Sequence, residues 1–179
     1  MSQTHDKIWT AGLVVIGDEI LSGRTHDKNI AQVASWLQVQ GIRLTEVRVV
    51  SDDVAAIAAA VNTLRAEYDY VFTTGGIGPT HDDITSECVA RAFGLEFGLN
   101  PEAVKLLEAH YAARGDEFTP ARQRMAKTPV DAILIDNPVS VAPGFQVENV
   151  FVLPGVPRIM QAMFEGLKQR LTGGKPMVS

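Results

Sequence analysis

Two adjacent aspartates, Asp82 and Asp83, close a glycine-rich stretch in the middle of the chain. Residues 73–81 read Thr-Thr-Gly-Gly-Ile-Gly-Pro-Thr-His, and the glycines let the backbone turn sharply and approach a ligand closely. An apolar run rich in β-forming residues precedes this stretch, and apolar residues at helical spacing follow from Ile84. A strand, a glycine loop and a helix N-terminus in this order present free backbone N–H groups to an anion, most naturally a phosphate.

The glycine loop matches neither of the two common nucleotide-binding fingerprints. A Walker A loop ends in Gly-Lys-Ser or Gly-Lys-Thr, whereas this loop has no lysine, and a dinucleotide-binding loop needs glycine where His81 stands. Because carboxylates repel bare phosphates, Asp82 and Asp83 favour a divalent cation that lies between them and the phosphate. The residues leave one alternative open, in which either aspartate caps the following helix.

Composition indicates a folded domain of ordinary size. The 179 residues are 46% hydrophobic, which is too apolar for a disordered chain and sufficient for one domain with a core. The formal net charge of −5 argues against a nucleic-acid-binding protein, and no apolar stretch approaches membrane-spanning length. The single cysteine, Cys88, excludes an internal disulfide framework and favours a buried structural thiol. We therefore expect a cytoplasmic protein.

Strand and helix patterns alternate three times in the first half of the chain. Apolar strand runs at 11–16, at 42–50 and from residue 69 are each followed by apolar residues at helical spacing, the first of these helices at 26–40. Short joints between such units are typical of a parallel sheet with right-handed crossovers. The pattern therefore predicts an α/β protein.

The turns that follow these strands hold the candidate functional residues. Ligands of parallel sheets bind outside the carboxyl ends of the strands. The acidic turn at 17–19, the turn at 51–52 and the glycine loop at 75–83 each follow a strand. We therefore expect these three turns to share one edge of the sheet.

The second half of the chain has less regular patterns. They predict helices at 101–114, 121–127 and 157–171, a buried strand at 132–135 and a hairpin formed by 145–147 and 150–153. We predict one domain with loose ends: a flexible leader at 1–9, the domain at 10–171 and a tail at 172–179.

Four motifs resemble those of the molybdopterin-binding domain of competence- and damage-inducible, CinA-type proteins, a MoaB- and MogA-like domain. They are Gly-Asp-Glu-Ile-Leu-Ser-Gly at 17–23, the glycine loop through Thr85, Ala-Pro-Gly at 142–144 and Pro-Gly-Val-Pro at 154–157. The first two motifs are long, and the order and spacing of the motifs also match those of CinA-type proteins. This chain carries Ser140 and Val141 where CinA-type proteins commonly have Gly-Thr, and Ile159 where many have Glu.

The resemblance implies a three-layer α/β/α sandwich with a mostly parallel sheet and a small β-hairpin. It implies that the glycine loop holds a phosphate, that Asp83 is functional and that Asp52 lies in the same site. The candidate catalytic residues are thus Asp83 and Asp52. The candidate phosphate- or ligand-binding residues are Gly17, Thr74, Gly75, Gly76, Gly78, Pro79, Thr80, Pro154 and Gly155. The candidate ligands of a divalent metal (Mg²⁺, Mn²⁺ or Co²⁺) are Asp18, Glu19, Asp82 and Asp83.

Three functions remain open at this point. CinA-type members are similar to metal-dependent ADP-ribose pyrophosphatases, so hydrolysis of ADP-ribose or a similar nucleotide diphosphate is the first hypothesis. The second is a non-catalytic module that binds molybdopterin or a nucleotide, and the third is molybdopterin adenylyl transfer in molybdenum cofactor synthesis. In each case the expected partner is a phosphorylated small molecule, and we expect binding to neither nucleic acid nor a membrane. The resemblance also implies a homo-oligomer.

Four basic residues of the second half could hold a second phosphate or a ribose. They are Arg122, Arg124, Lys127 and Arg158. A solvated basic face is the alternative for all four.

Overall fold

The computed structural model describes residues 7–176. Its strands are β1 (Trp9–Ile16), β2 (Ile42–Val50), β3 (Tyr70–Thr74), β4 (Phe97–Leu99), β5 (Lys127–Pro129), β6 (Ile133–Ile135), β7 (Gly144–Val147) and β8 (Val150–Leu153). Its α-helices are α1 (Asp18–Leu21), α2 (Asn29–Val39), α3 (Val54–Glu67), α4 (Thr85–Phe93), α5 (Pro101–Ala113), α6 (Pro120–Gln123) and α7 (Pro157–Met163). Short 3-10 helices follow α6 at Arg124–Ala126 and α7 at Phe164–Arg170. Within this part of the chain, no helix has the length and apolar character needed to cross a membrane.

Six strands form one sheet in the order β2-β1-β3-β8-β7-β6. Strands β2, β1, β3 and β8 run parallel, and β7 pairs antiparallel with both β8 and β6. The separate strands β4 and β5 form a short antiparallel pair. The predicted α/β class, the mostly parallel sheet and the β7–β8 hairpin are confirmed.

The central strands are buried because helices cover both faces of the sheet. Side chains of a strand alternate between faces, so Leu13 and Val15 of β1 pack in one apolar cluster with α2 and α7, while Val14 and Ile16 pack in another with α3 and α4. Burial of each such side chain stabilises the fold by about 1.5–3 kcal/mol. The continuous apolar run therefore produces the central layer of a three-layer sandwich.

Helix starts that the sequence marks with caps lie where they are expected. The Asp53 carboxylate accepts a hydrogen bond from Ala56 N at 2.9 Å at the start of α3. Asn100 caps α5, and Pro101 occupies the first turn, where its missing N–H costs nothing.

Several predicted elements differ from the structure. The first helix starts at Asn29 instead of residue 26, and the acidic turn contains the single-turn helix α1. The helix predicted at 121–127 is α6 followed by a 3-10 turn, and Lys127 already belongs to β5. The prediction of a buried strand at 132–135 is wrong in its burial, because β6 lies at the edge of the sheet with Ile133 58% exposed.

The loose ends predicted at 1–9 and 172–179 fall partly on residues 1–6 and 177–179, which lie outside the described residues. Trp9 already begins β1. Beyond the last 3-10 helix, Thr172 N donates to the Tyr70 hydroxyl at 2.8 Å and Gly174 N donates to Gly41 O at 3.0 Å. These bonds attach residues 172–174 to the domain, while the domain boundaries stay a prediction.

The glycine loop begins in a turn that buried hydrogen bonds close. The fully buried Thr85 donates from its hydroxyl to Gly75 O at 2.9 Å and from its N–H to Gly76 O at 3.0 Å. Gly75 and Gly76 have φ of 98° and 73°, which side-chain-bearing residues rarely adopt. A methyl group at Gly76 would also collide with the Thr85 hydroxyl, so only glycine fits there.

We expect Thr85→Val to destabilise the fold by about 1–3 kcal/mol, because it keeps the shape of the side chain but leaves the buried Gly75 carbonyl without its hydroxyl donor. Thr85→Ser is the matched control, since it keeps the donor and loses only a methyl group worth about 0.8 kcal/mol. Urea unfolding of the three proteins measures the difference. Equal losses for the valine and serine variants would mean that packing, not the hydrogen bond, holds the turn.

Candidate functional site

The acidic turn and the turn after β2 are joined directly. Asp18 N donates to the Asp52 carboxylate at 3.2 Å, and Asp52 N donates to the Asp18 carboxylate at 3.1 Å. Behind them, Gly17 N donates to Val50 O at 3.1 Å. Residues far apart in sequence thus meet because β1 and β2 are parallel neighbours whose carboxyl ends lie together.

The glycine loop and the Pro-Gly-Val-Pro turn pack beside them. Gly75 N donates to Leu153 O at 3.1 Å, and a side chain at Gly75 would collide with the carbonyl of Ile16. A methyl group at Gly155 would lie 3.2 Å from Gly75 Cα. The prediction that the turns after β1, β2 and β3 share one edge is confirmed, and the turn after β8 lies there too.

A cavity of about 500 Å³ opens between these turns, and we call it the main cavity. Six of the predicted ligand-binding residues line it: Thr74, Gly75, Gly76, Gly78, Pro154 and Gly155. Apolar side chains cover much of the remaining wall: Val15, Ile16, Ile20, Ile77, Met125, Val156 and Ile159. The main cavity therefore suits a ligand with an apolar or aromatic body and a phosphate at the glycine loop.

Two buried polar side chains of the main cavity have atoms without a partner among the described residues. Asn29 is 5% exposed; its Nδ2 donates to Gly155 O at 2.9 Å, while its Oδ1 accepts nothing. Thr74 is 1% exposed, and its hydroxyl is also unpaired. Each unpaired buried group costs about 1–3 kcal/mol, a cost that a ligand with suitable polar groups would remove.

An acidic basin of about 420 Å³ adjoins the main cavity at the glycine loop and shares Glu19, Gly76 and Asp83 with it. Its carboxylates are those of Asp18, Glu19, Asp52, Asp82 and Asp83. Burial raises the pKa of Asp52, and the neighbouring carboxylates of Asp18, Glu19 and Asp83 raise that pKa further, against the opposing effect of the Asp18 N–H. The basin is thus a region where a cation lowers the electrostatic free energy.

Asp83 and Asp82 have different surroundings despite their adjacency. Asp83 lines both the main cavity and the acidic basin, and its carboxylate accepts from Thr80 N at 2.9 Å and Thr80 Oγ1 at 2.8 Å. Asp82 lies at the outer rim with its side chain 78% exposed, 3.3 Å from His81 Nε2. Helix α4 has no side-chain cap, so the capping alternative for these aspartates is wrong.

The carboxylates fit a metal shared with a ligand better than a metal held by protein alone. Among residues 7–176, no group of three or more His, Cys, Asp or Glu side chains is arranged to hold a metal ion. Mg²⁺ in phosphate sites commonly needs only one or two carboxylates, with phosphate oxygens and water completing its coordination. One or two of the basin carboxylates would meet that smaller requirement, and the predicted metal site stays a prediction.

Two predicted binding residues do not line either cavity. Gly17 is buried and Pro79 is exposed, and neither lies in the lining of the main cavity or the acidic basin. Cys88 is buried in α4, and burial raises the pKa of its thiol to about 11, as expected for a structural cysteine.

Asn29 and Asn137 are cavity residues that sequence reasoning missed. The Asn137 side chain donates to Ser140 Oγ at 2.7 Å and to Ala142 O at 2.9 Å. These bonds hold the loop at 137–142 in place. Within this loop Val141 has φ of 69°, a strained conformation for a β-branched residue. In the sequence, Asn137 follows Asp136 and indicates only a turn, and Asn29 indicates only a polar residue of a helix. Neither pattern therefore predicted a cavity.

Comparison with known proteins gives the family of this chain. A family model described as a probable molybdopterin binding domain matches residues 12–173. A protein of Pyrobaculum calidifontis is 41% identical over 166 residues, which are 90% of this chain and 63% of that protein. A CinA-like protein of Citrifermentans bemidjiense is 43% identical over 154 residues, which are 84% of this chain and 37% of that protein.

The crystal structure of CinA from Thermoplasma acidophilum, a protein of unknown function, is similar with a TM-score of 0.84 and 34% identity. That match covers 91% of this chain and 98% of the other. The chain spans under two thirds of the length of the archaeal relative and under half of the CinA-like relative. Because the family match extends over most of the sequence, the chain belongs to the family of probable molybdopterin binding domains and is related within it to CinA-like proteins.

Proposed function

We propose that this domain is a metal-dependent pyrophosphatase that hydrolyses ADP-ribose or a similar nucleotide diphosphate. The observation that supports it is the junction of two different environments at the glycine loop. On one side is the main cavity, with the unpaired buried groups of Asn29 and Thr74, and on the other is the acidic basin. Asp83 faces both, where the phosphates of a bound ligand would lie.

The residues at this junction suit attack of water on a diphosphate. Water adds to one phosphorus atom and the bridging P–O bond breaks, so ADP-ribose and water yield AMP and ribose 5-phosphate. Asp52 suits the acceptance of a proton from the attacking water, because its raised pKa makes it a stronger base than an ordinary aspartate. The N–H groups of Gly76, Ile77 and Gly78, which have no partner among the described residues, would stabilise negative charge that develops on the phosphate oxygens.

Asp83 with one of its basin neighbours, Asp18 or Glu19, would hold the divalent cation together with phosphate oxygens of the ligand. When bound, such a cation withdraws charge from phosphate oxygens and lowers the pKa of a coordinated water. Asp82, the fourth metal ligand that the sequence suggests, would act from the exposed rim of the basin.

A binding module without turnover is the second candidate. The lack of a three-ligand metal cluster within the described residues favours it, because the same loop and cavity suffice to hold molybdopterin or a nucleotide. Molybdopterin adenylyl transfer remains the third candidate, and homo-oligomerisation remains a proposal from the resemblance alone.

The direct test is release of AMP from ADP-ribose in the presence of Mg²⁺, Mn²⁺ or Co²⁺. We expect release by the wild type and a fall of about 10²-fold or more in Asp83→Asn, which keeps an acceptor for Thr80 and removes the charge. Asp116→Asn is the control, since Asp116 pairs with Arg114 away from the cavities. Tight ligand binding with no AMP under any of the metals would favour the binding module instead.

Thr74→Val should weaken binding of α,β-methylene-ADP, a diphosphate that resists hydrolysis, by about 3- to 10-fold through loss of one hydrogen bond. Its matched control is Thr73→Val, because Thr73 also has a buried, unpaired hydroxyl but lies outside the residues that line the main cavity. Calorimetry gives the affinities, and both variants should be at least as stable as the wild type without ligand. Equal affinities for both variants would remove Thr74 from the binding site.

Asp52→Asn should stabilise the unliganded domain at pH 7. The raised pKa means that folded Asp52 binds its proton more tightly than unfolded Asp52, so its contribution to stability is full below about pH 3.9 and is lost as pH rises through the folded pKa. The asparagine of the variant does not titrate, so the variant does not lose stability in this way as pH rises. The difference in the free energy of unfolding between the variant and the wild type should therefore shrink as pH falls. Urea unfolding from pH 4 to pH 7 measures the trend, and an advantage that grows toward low pH would contradict it.

A further inference from the structure

A smaller cleft of about 260 Å³ adjoins the glycine loop and carries two cationic side chains, Arg124 and Lys127. It shares Ile77, Gly78 and Asp83 with the main cavity. Arg124 and Lys127 line the cleft, whereas Met125, which lies between them in sequence, lines the main cavity. Residues 124–127 therefore separate the two spaces. The cleft therefore continues the candidate site beyond the glycine loop.

The two cations have no carboxylate partner within residues 7–176. Neither the Arg124 guanidinium nor the Lys127 ammonium takes part in an ion pair or a side-chain hydrogen bond in this part of the chain. Two carboxylates line the cleft: Glu87 pairs with Arg91, and Asp83 accepts hydrogen bonds from Thr80. The net charge of the chain is −5. Arg124 and Lys127, unpaired among the described residues and close to the glycine loop, are therefore available to an anionic ligand.

The structure separates these residues from the other basic side chains of the second half. Arg122 lies over the Tyr111 ring at 4.3 Å and donates to Glu117 O at 2.6 Å, which is a structural role. Arg158 lines neither the cleft nor the main cavity. Lys127 is held in place by β5, which pairs with β4, and the adjacent Ala126 is fully buried.

We propose that Arg124 and Lys127 form a second anion subsite, which binds the distal phosphate of a diphosphate ligand whose first phosphate lies at the glycine loop. This inference rests on the proposed function and adds to it the preference for two consecutive phosphates over one. The acidic basin cannot supply this attraction without a cation, whereas guanidinium and ammonium groups bind phosphate directly.

The test compares α,β-methylene-ADP with AMP by calorimetry in excess Mg²⁺. The wild type should bind the diphosphate about tenfold or more tightly than AMP, in keeping with charge-assisted hydrogen bonds to the distal phosphate. Arg124→Gln combined with Lys127→Gln should abolish this preference and leave AMP affinity within about twofold of wild type, since AMP would not reach the cleft.

The control is Lys105→Gln combined with Lys168→Gln, which removes the same charge from exposed positions away from the cleft. It should keep the wild-type preference. A preference retained in the Arg124 and Lys127 variant, or absent in the wild type, would overturn the subsite while AMP binding still supports the proposed function. A wild type that binds neither nucleotide would overturn the proposed function and the subsite together.

Discussion

The hydrogen bond from the buried Thr85 hydroxyl to the Gly75 carbonyl is the contact on which the whole site depends. It closes the turn between β3 and α4 while Gly75 N stays bonded to Leu153 at the end of β8. Only glycines fit this geometry, because Gly76 faces the Thr85 hydroxyl and Gly75 faces the backbone of β1. Three strands and one helix thus meet at two glycines, where a larger residue would prevent their close approach.

Charge is divided around that point in a way that suits a diphosphate. Carboxylates gather on the side of β1 and β2, where the pKa of Asp52 is raised by burial and by its acidic neighbours. Arg124 and Lys127, which have no ion-pair partner among the described residues, lie on the side of β5. Apolar walls lie between, with the groups of Asn29 and Thr74 that are unpaired in the same part of the chain. A protein gains no stability from these features alone, since unpaired buried groups and clustered like charges both oppose folding. Their presence together is understandable if binding of a ligand is their function.

The fold was largely predictable because its strongest signals are local. The apolar run that became β1, the Asp53 cap of α3 and the Asn100-Pro101 start of α5 depend on residues a few positions apart. The weaker predictions failed where tertiary packing decides. Whether residues 124–127 continue a helix or enter β5 depends on pairing with β4, and whether β6 is buried depends on its place at the sheet edge.

The sequence alone determined the glycine loop, the acidic turns and their common edge, because strand-to-turn spacing and the parallel sheet rule require no knowledge of distant contacts. It also carried the family resemblance, since the motifs are contiguous. Only the tertiary structure decided that Asn29 reaches Gly155, that Asp18 and Asp52 exchange hydrogen bonds, and that Arg124 and Lys127, but not Arg122, lie beside the loop. These relations join residues separated by tens of positions, and their distances are set by how helices and strands pack, which no local pattern encodes.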